Sequence, residues 1–288
     1  MGRVPQGCPV PHLTRRVRTA VWLALVPAVA LLGFSAISAH AQPIRYGISP
    51  GEIELVPPPG GTASAVLVVY NKAPNTARMR VAVQDLYVRP DGVADVLEPG
   101  KLSWSVARFT RVQPAEFDLE AERQMPVRIA VTVPRDARGG LYGMIVVTST
   151  PVLQTPAAGK GTFIVVAPKL AARLLVAIRG TEVVQGAIVN MLAAPRPRGA
   201  GADIRVAFRN KGNVHLHTRG EVEILDASGQ RLGKVSLPEA VVLPASTREF
   251  KISWDKSLGP GTYTARAVID YGADVLVSGE LSFAYRGP

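Results

Sequence analysis

The 288-residue chain carries 33 basic against 22 acidic side chains, a net charge of +11, and a single cysteine, Cys8. The first 41 residues hold that cysteine and four of the arginines, so the remaining 247 residues have a net charge of only +7. Those 247 residues have no cysteine, which excludes disulfides, thiolate metal sites and a cysteine nucleophile; their length suits two sandwich domains of about 100 residues each.

The opening stretch is expected to be an export signal peptide, residues 1–41. Arg15, Arg16 and Arg18 supply a basic region, Val21 to Phe34 an apolar one, and Ala39-His40-Ala41 a small-x-small cleavage site. Cys8 precedes the apolar run, so it is not a lipobox cysteine, and Thr14-Arg15-Arg16 hints at twin-arginine export. The rest is then periplasmic or secreted, without stable membrane insertion. In that compartment a moderate basic excess points to protein partners or an acidic cell-wall polymer, not to nucleic acid.

After the signal the pattern is that of strands. YGISPGEIELVPPPGGTASAVLVVY (46–70) gives a first edge strand around Ile53 and Leu55, a Pro/Gly turn, and a buried strand from Ala65 to Tyr70. The turn cluster Asn71-Lys72-Ala73-Pro74-Asn75 follows, then Met79, Val81 and Val83 alternating with Arg80, Ala82 and Gln84. Asp91-Gly92 marks another turn. Residues 85–117 are irregular, with Trp104, Val106, Phe109 and Val112 as expected core contributors.

The clearest pair of strands lies in QMPVRIAVTVPRDARGGLYGMIVVTST (124–150). Val127, Ile129, Val131 and Val133 alternate with polar or small residues, the period of a half-buried strand. The loop PRDARGG then leads to Tyr142 and an apolar run from Met144 to Val147. A Tyr entering a strand after a Gly-containing corner is the arrangement of a tyrosine corner, its hydroxyl tied to upstream backbone, and the pair reads as strands E and F of an immunoglobulin-like sandwich. PVLQTPAAGKG (151–161) has the composition of a flexible loop; 162–168 is expected to pair with strand F, and the run resumes through Lys169 to Ile178.

Arg179-Gly180 is the expected domain boundary, giving domains 43–179 and 180–288. The second half repeats the first. Asn210-Lys211 closes the strand of Ile204, Val206 and Phe208 as Asn71-Lys72 closes VVY, and Phe250 to Trp254, with Gly259-Pro260-Gly261 and Tyr263, echoes the strand pair and corner. Val222 and Ile224, Ala265 to Ile269, and Leu281, Phe283 and Tyr285 supply further strands, and no segment after residue 42 has helical period. The fold class is therefore all-β: two immunoglobulin-like sandwiches in tandem.

Catalytic signals are poor. His215 and His217 have a spacing that a metal pair can use, but with no third ligand in the neighbouring sequence they read as surface residues beside a turn, and no metal or cofactor is called for. Ser253-Trp254-Asp255-Lys256 matches S-x-x-K at a strand end, where that chemistry needs a helix. Arg196 and Arg198 read as a solvated loop. A non-enzyme is expected.

Taken together, ISPGEIEL, the Pro/Gly turn, VLVVYN, FDLEAERQMPVRIAVTVP and GGLYG resemble the periplasmic pilus-assembly chaperones and the related immunoglobulin-like surface proteins that accompany WxL proteins, best over 46–178. The resemblance implies two sandwiches set at an angle, no enzymatic activity, and capture of a pilus or surface subunit by strand donation from the first domain. It also implies two basic residues that hold the subunit's terminal carboxylate. Here Gly51 or Glu52 falls at the first position, where an acid repels a carboxylate, while Lys169 and Arg173 fall near the second. The chain ends AYRGP, without the membrane helix expected of the WxL-associated relatives. The expected partner-binding residues are Phe163, Ile164, Val165 and Val166 on an apolar edge strand, with Lys169 and Arg173 as a charge anchor. The other reading is a structural or adhesive module that binds cell-wall polymer.

Overall fold

The structure is a computed structural model that describes residues 45–151 and 168–286; the expected signal peptide and the 152–167 stretch lie outside the described residues. Within them the helical segments are two single turns, Ala107–Phe109 and Pro197–Gly199, and no helix is long and apolar enough to cross a membrane. The first group of strands is β1 (Tyr46–Ser49), β2 (Glu52–Leu55), β3 (Thr62–Asn71), β4 (Ala77–Val88), β5 (Ala94–Leu97), β6 (Thr110–Gln113), β7 (Glu116–Leu119), β8 (Gln124–Thr132), β9 (Gly140–Pro151) and β10 (Lys169–Ala177). The second is β11 (Gly186–Pro195), β12 (Ala202–Asn210), β13 (Leu216–Leu225), β14 (Arg231–Val242), β15 (Thr247–Trp254), β16 (Gly261–Asp270) and β17 (Val277–Tyr285).

In the first group one sheet runs β1-β3-β8-β6 and the facing sheet β2-β10-β9-β4-β5, with β7 also on β4. The second group faces β11-β12-β15 with β14-β13-β16-β17. The protein is thus all-β, two immunoglobulin-like sandwiches in tandem. Period-two alternation decides which side chains fill each one: Val127, Ile129 and Val131 of β8 meet Met79, Val81, Ile145 and Leu174 of the facing sheet. Phe208, Phe250 and Trp254 centre the second core. Full burial of each such side chain is worth about 1.5–3 kcal/mol.

The edge strand expected around Ile53 and Leu55 is β2, but the chain divides its opening between sheets. β1 pairs antiparallel with β3, and after Pro50-Gly51 the chain crosses so that β2 lies parallel to β10, Glu52 opposite Arg173. The irregular 85–117 stretch is organised around Asp85. Solvent-inaccessible, it accepts hydrogen bonds from Gly100 N at 3.1 Å, Leu102 N at 2.7 Å and the Ser105 hydroxyl. Val106 is fully buried and Phe109 and Val112 pack on the same core, as their pattern predicts.

The repeat has a physical basis in its two asparagines. Asn71 Nδ2 donates to the carbonyls of Asn75, Leu119 and Glu120 and its Oδ1 accepts from Ala73 N. Asn210 Nδ2 donates to Val214 O and Val242 O while Oδ1 accepts from Gly212 N. Each buried amide ties a strand end to the turn after it and to a distant segment.

Two of three expectations need correction. The first, that 162–168 pairs with β9, lies outside the described residues apart from Pro168, whose carbonyl accepts Ser149 N at 3.3 Å; the described partner of β9 on that side is Lys169–Ala177. Phe163, Ile164, Val165 and Val166 lie outside the described residues. Second, Tyr142 does not form a corner tied to upstream backbone: its buried hydroxyl makes no well-formed hydrogen bond, and the backbone amide beside it belongs to His215 of the second sandwich. Tyr263 does, donating to Gly259 O at 2.7 Å. Third, Arg198 is exposed but Arg196 is not a free loop cation, since its guanidinium donates to Trp254 O and Asp255, each at 2.6 Å. The S-x-x-K match lies at a strand end as read, β15 stopping at Trp254 and Lys256 lying over the Trp254 ring at 5.2 Å.

Candidate partner-binding cleft between the sandwiches

β9 shows how the second sandwich is seated. Its even-numbered side chains Tyr142, Met144 and Val146 point away from the first core, yet they are buried, because they pack with Leu86 and Leu175 against Val241 and Leu243 of the second sandwich. Trp104 and Val88 flank this cluster, and Trp104 Nε1 donates to Leu86 O at 3.2 Å. Backbone bonds fix the joint: Gly140 N to Asn213 O at 2.8 Å and Glu249 N to Pro90 O at 2.8 Å. Tyr142 reaches back over Gly140, where a Cβ would stand 1.8 Å from the phenol oxygen.

Beside this apolar joint lies a cleft of about 470 Å³, lined from the first sandwich by Glu52 and Arg173 and from the second by His217, Thr218, Arg219, Glu239, Val241 and Asp270, among others. Alternation explains the first set. Ile53 and Leu55 are in the core, so Glu52 and Glu54 face outward; Leu174 and Val176 are in the core, so Arg173 does too. Arg173 Nε meets Glu52 Oε2 at 2.8 Å. The acid expected to repel a guest carboxylate instead occupies the base expected to hold one. Lys169 stands on the same face of β10, about 13 Å further along, exposed and without an ion-pair partner among the described residues. Across the cleft Arg219 is held by Asp270 through Nε at 3.0 Å and Nη2 at 2.8 Å.

His215 and His217 are not a pair of surface residues. The His215 side chain is only 2% exposed, edge-on to the Tyr142 ring at 5.7 Å. Its Nε2 lies 2.9 Å from Glu54 Oε1, and His217 Nε2 lies 3.3 Å from Glu54 Oε2, so one carboxylate from β2 receives both histidines at the start of β13. Burial pushes the His215 imidazole below its ordinary pKa against the opposing pull of Glu54. Burial also works against the charge on Glu54, but His215 and His217 together outweigh it and hold the carboxyl below its usual range. Burial raises the Tyr142 phenol well above its ordinary value, the nearby His215 backbone amide offsetting part of the rise.

Sequence reasoning missed Glu54 as the third member of this cluster. The signal present was its outward position in the alternation Glu52-Ile53-Glu54-Leu55; its histidine partners are 161 and 163 residues away. A histidine beside a carboxylate resembles half a hydrolytic triad, but the hydroxyl of the cleft lining, Thr218 Oγ1, donates to Ala240 O at 3.0 Å. What the cleft offers is paired charge and the exposed His217 imidazole, with strand backbone alongside.

No protein-family model matches the chain, and no curated protein matches it. Among solved structures it is similar to the class 5 fimbriae chaperone CfaA, at 12% identity and TM-score 0.43, over 84% of this chain and 99% of that one. It is similar to a structure of the CsuC–CsuE chaperone–tip subunit pre-assembly complex of Acinetobacter baumannii, at 12% identity and TM-score 0.42, over 82% and 97%. It is also similar to the CupB2 chaperone of Pseudomonas aeruginosa, at 15% identity and TM-score 0.39, over 83% and 100%.

Proposed function

We propose that this is an exported, non-enzymatic, chaperone-like protein that binds a pilus or surface subunit by strand addition to the edge of β10. The observation that carries the reading is a half-covered edge. β9 pairs with β10 along Lys169–Ala177, but β2 begins only opposite Arg173, whose N–H donates to Gly51 O at 3.0 Å. No strand among the described residues covers Lys169–Ala172 on that side. Alternate N–H groups of a strand point the same way, so the Ala171 N–H shares the direction of the Arg173 N–H and is free to meet a guest strand. Main-chain hydrogen bonds would supply affinity and the partly buried Leu170 an apolar contact. A terminal carboxylate entering the cleft competes with Glu52 for Arg173, whereas Lys169 is uncommitted. Phe163, Ile164, Val165 and Val166 are proposed to continue this edge upstream.

The test is photo-crosslinking in cells from a reactive side chain placed at Leu170. A discrete subunit adduct is expected, abolished by Ala171→Pro, which removes the outward donor without touching the β9 ladder, and reduced by Lys169→Ala. Adducts that persist in Ala171→Pro, with the circular dichroism of a folded β protein, would overturn strand addition at this edge.

A further inference from the structure

We propose that Glu54, His215 and His217 form a divalent transition-metal site, of the kind that takes zinc, bridging the two sandwiches. Their ligand atoms all lie within 4.8 Å of one another. A tetrahedral ion with bonds of about 2.0–2.2 Å to nitrogen and oxygen holds its donors roughly 3.3 Å apart. The histidine-to-carboxylate separations of 2.9 and 3.3 Å, one to each carboxylate oxygen, lie at or within a few tenths of an ångström of that spacing.

Three further observations fit a bound cation. The chain has four histidines, two of them in the first 41 residues, and both of the others converge on this one carboxylate. Imidazole nitrogen with a single carboxylate is a donor set suited to zinc, copper or nickel; calcium and magnesium take mostly oxygen ligands. One ligand, His215, is anchored by burial, while Glu54 at 44% and His217 at 55% side-chain exposure leave an entry path from solvent. The three protein ligands leave a fourth position. His217 shares the lining of the cleft with Arg173 and Arg219, and water or an anionic group would complete the coordination. The ion would tie β2 to β13 through bonds stronger than the hydrogen bonds now seen. The proposal stands on these three side chains and is independent of strand addition at β10.

The experiment uses the purified protein without a histidine tag, stripped by chelator, titrated with zinc chloride by calorimetry and followed by thermal unfolding; cobalt(II) serves as a visible-absorbance probe of coordination. Expected are one ion per chain, a higher Tm with zinc, and cobalt bands of low coordination number. His217→Ala and Glu54→Gln, at exposed positions that the fold tolerates, should each weaken binding at least tenfold and abolish the Tm rise. Glu116→Gln, at an exposed acid on β7 that pairs with Arg78 and Arg80, should bind as the wild type does. Absence of stoichiometric binding in the wild type, or undiminished binding in both His217→Ala and Glu54→Gln, would overturn the site and leave the cluster a hydrogen-bonded contact between sandwiches.

Discussion

Tyr142→Phe tests the seating of the second sandwich through the sign of its effect. A tyrosine corner makes the hydroxyl a hydrogen-bond donor, and its removal then costs about 1 kcal/mol. In the structure the ring is 1% exposed, its hydroxyl is buried without a well-formed hydrogen bond, and it packs across the joint between sandwiches. A buried unpaired polar group carries a desolvation cost of about 1–3 kcal/mol, part of which phenylalanine removes while keeping the ring. Tyr142→Phe should therefore leave stability unchanged or raise it by about 1 kcal/mol. Tyr142→Ala should lower it by about 3–5 kcal/mol, as truncation of a buried aromatic does. Urea unfolding followed by tryptophan fluorescence is a suitable assay, because Trp104 flanks the joint and Trp254 lies in the second core. A loss of about 1 kcal/mol in Tyr142→Phe, with an unchanged denaturant slope, would refute the unpaired hydroxyl and restore the corner.

Gly140→Ala should cost several kcal/mol, since its Cβ would collide with the Tyr142 phenol oxygen; in a Tyr142→Ala background the cost should fall sharply, and an additive double-mutant cycle would refute the close approach. Asn71→Ala and Asn210→Ala each strand carbonyls that the amide now satisfies, and each should lose about 2–3 kcal/mol in urea melts. Asp85 gives a pH dependence: burial opposes its charge, but hydrogen bonds from Ser105, Leu102 and Gly100 outweigh burial and hold its carboxyl below the ordinary aspartate range. A depressed folded pKa means stability that is present above the unfolded value and lost as pH falls through the folded one. Asp85→Asn should cost about 2 kcal/mol at neutral pH and flatten the acid limb below about pH 4; an unchanged acid limb in melts across pH would refute the assignment.

Alternation within a strand was legible, and so was the architecture built from it. Val127, Ile129 and Val131 on β8, Met79 and Val81 on β4, and the paired Asn71 and Asn210 all follow from local pattern, because a sandwich core needs only that each strand present one apolar face. The hairpin partner β5 was lost because Ala94–Leu97 has no buried face: Val96 and Leu97 are exposed.

The joint between sandwiches had one sequence signal whose meaning was available. An antiparallel strand with one wet face alternates, and β8 does; β9 loses alternation at Met144-Ile145-Val146-Val147, where every residue is buried. Loss of period two in an antiparallel sandwich strand means that a second layer covers its outer face, so the run predicts a docked neighbour without naming it. The partner, Val241 and Leu243 about 100 residues downstream, has an ordinary apolar pattern. Glu54 follows the same logic with the sign reversed. An acidic residue on the outward face of a strand is unremarkable until the cover arrives, and only then must its charge be answered. The answer is the one pair of histidines that remains after the first 41 residues. Polar residues that face a covered surface are therefore where this chain places its specific chemistry, and they are invisible to any reading confined to one strand.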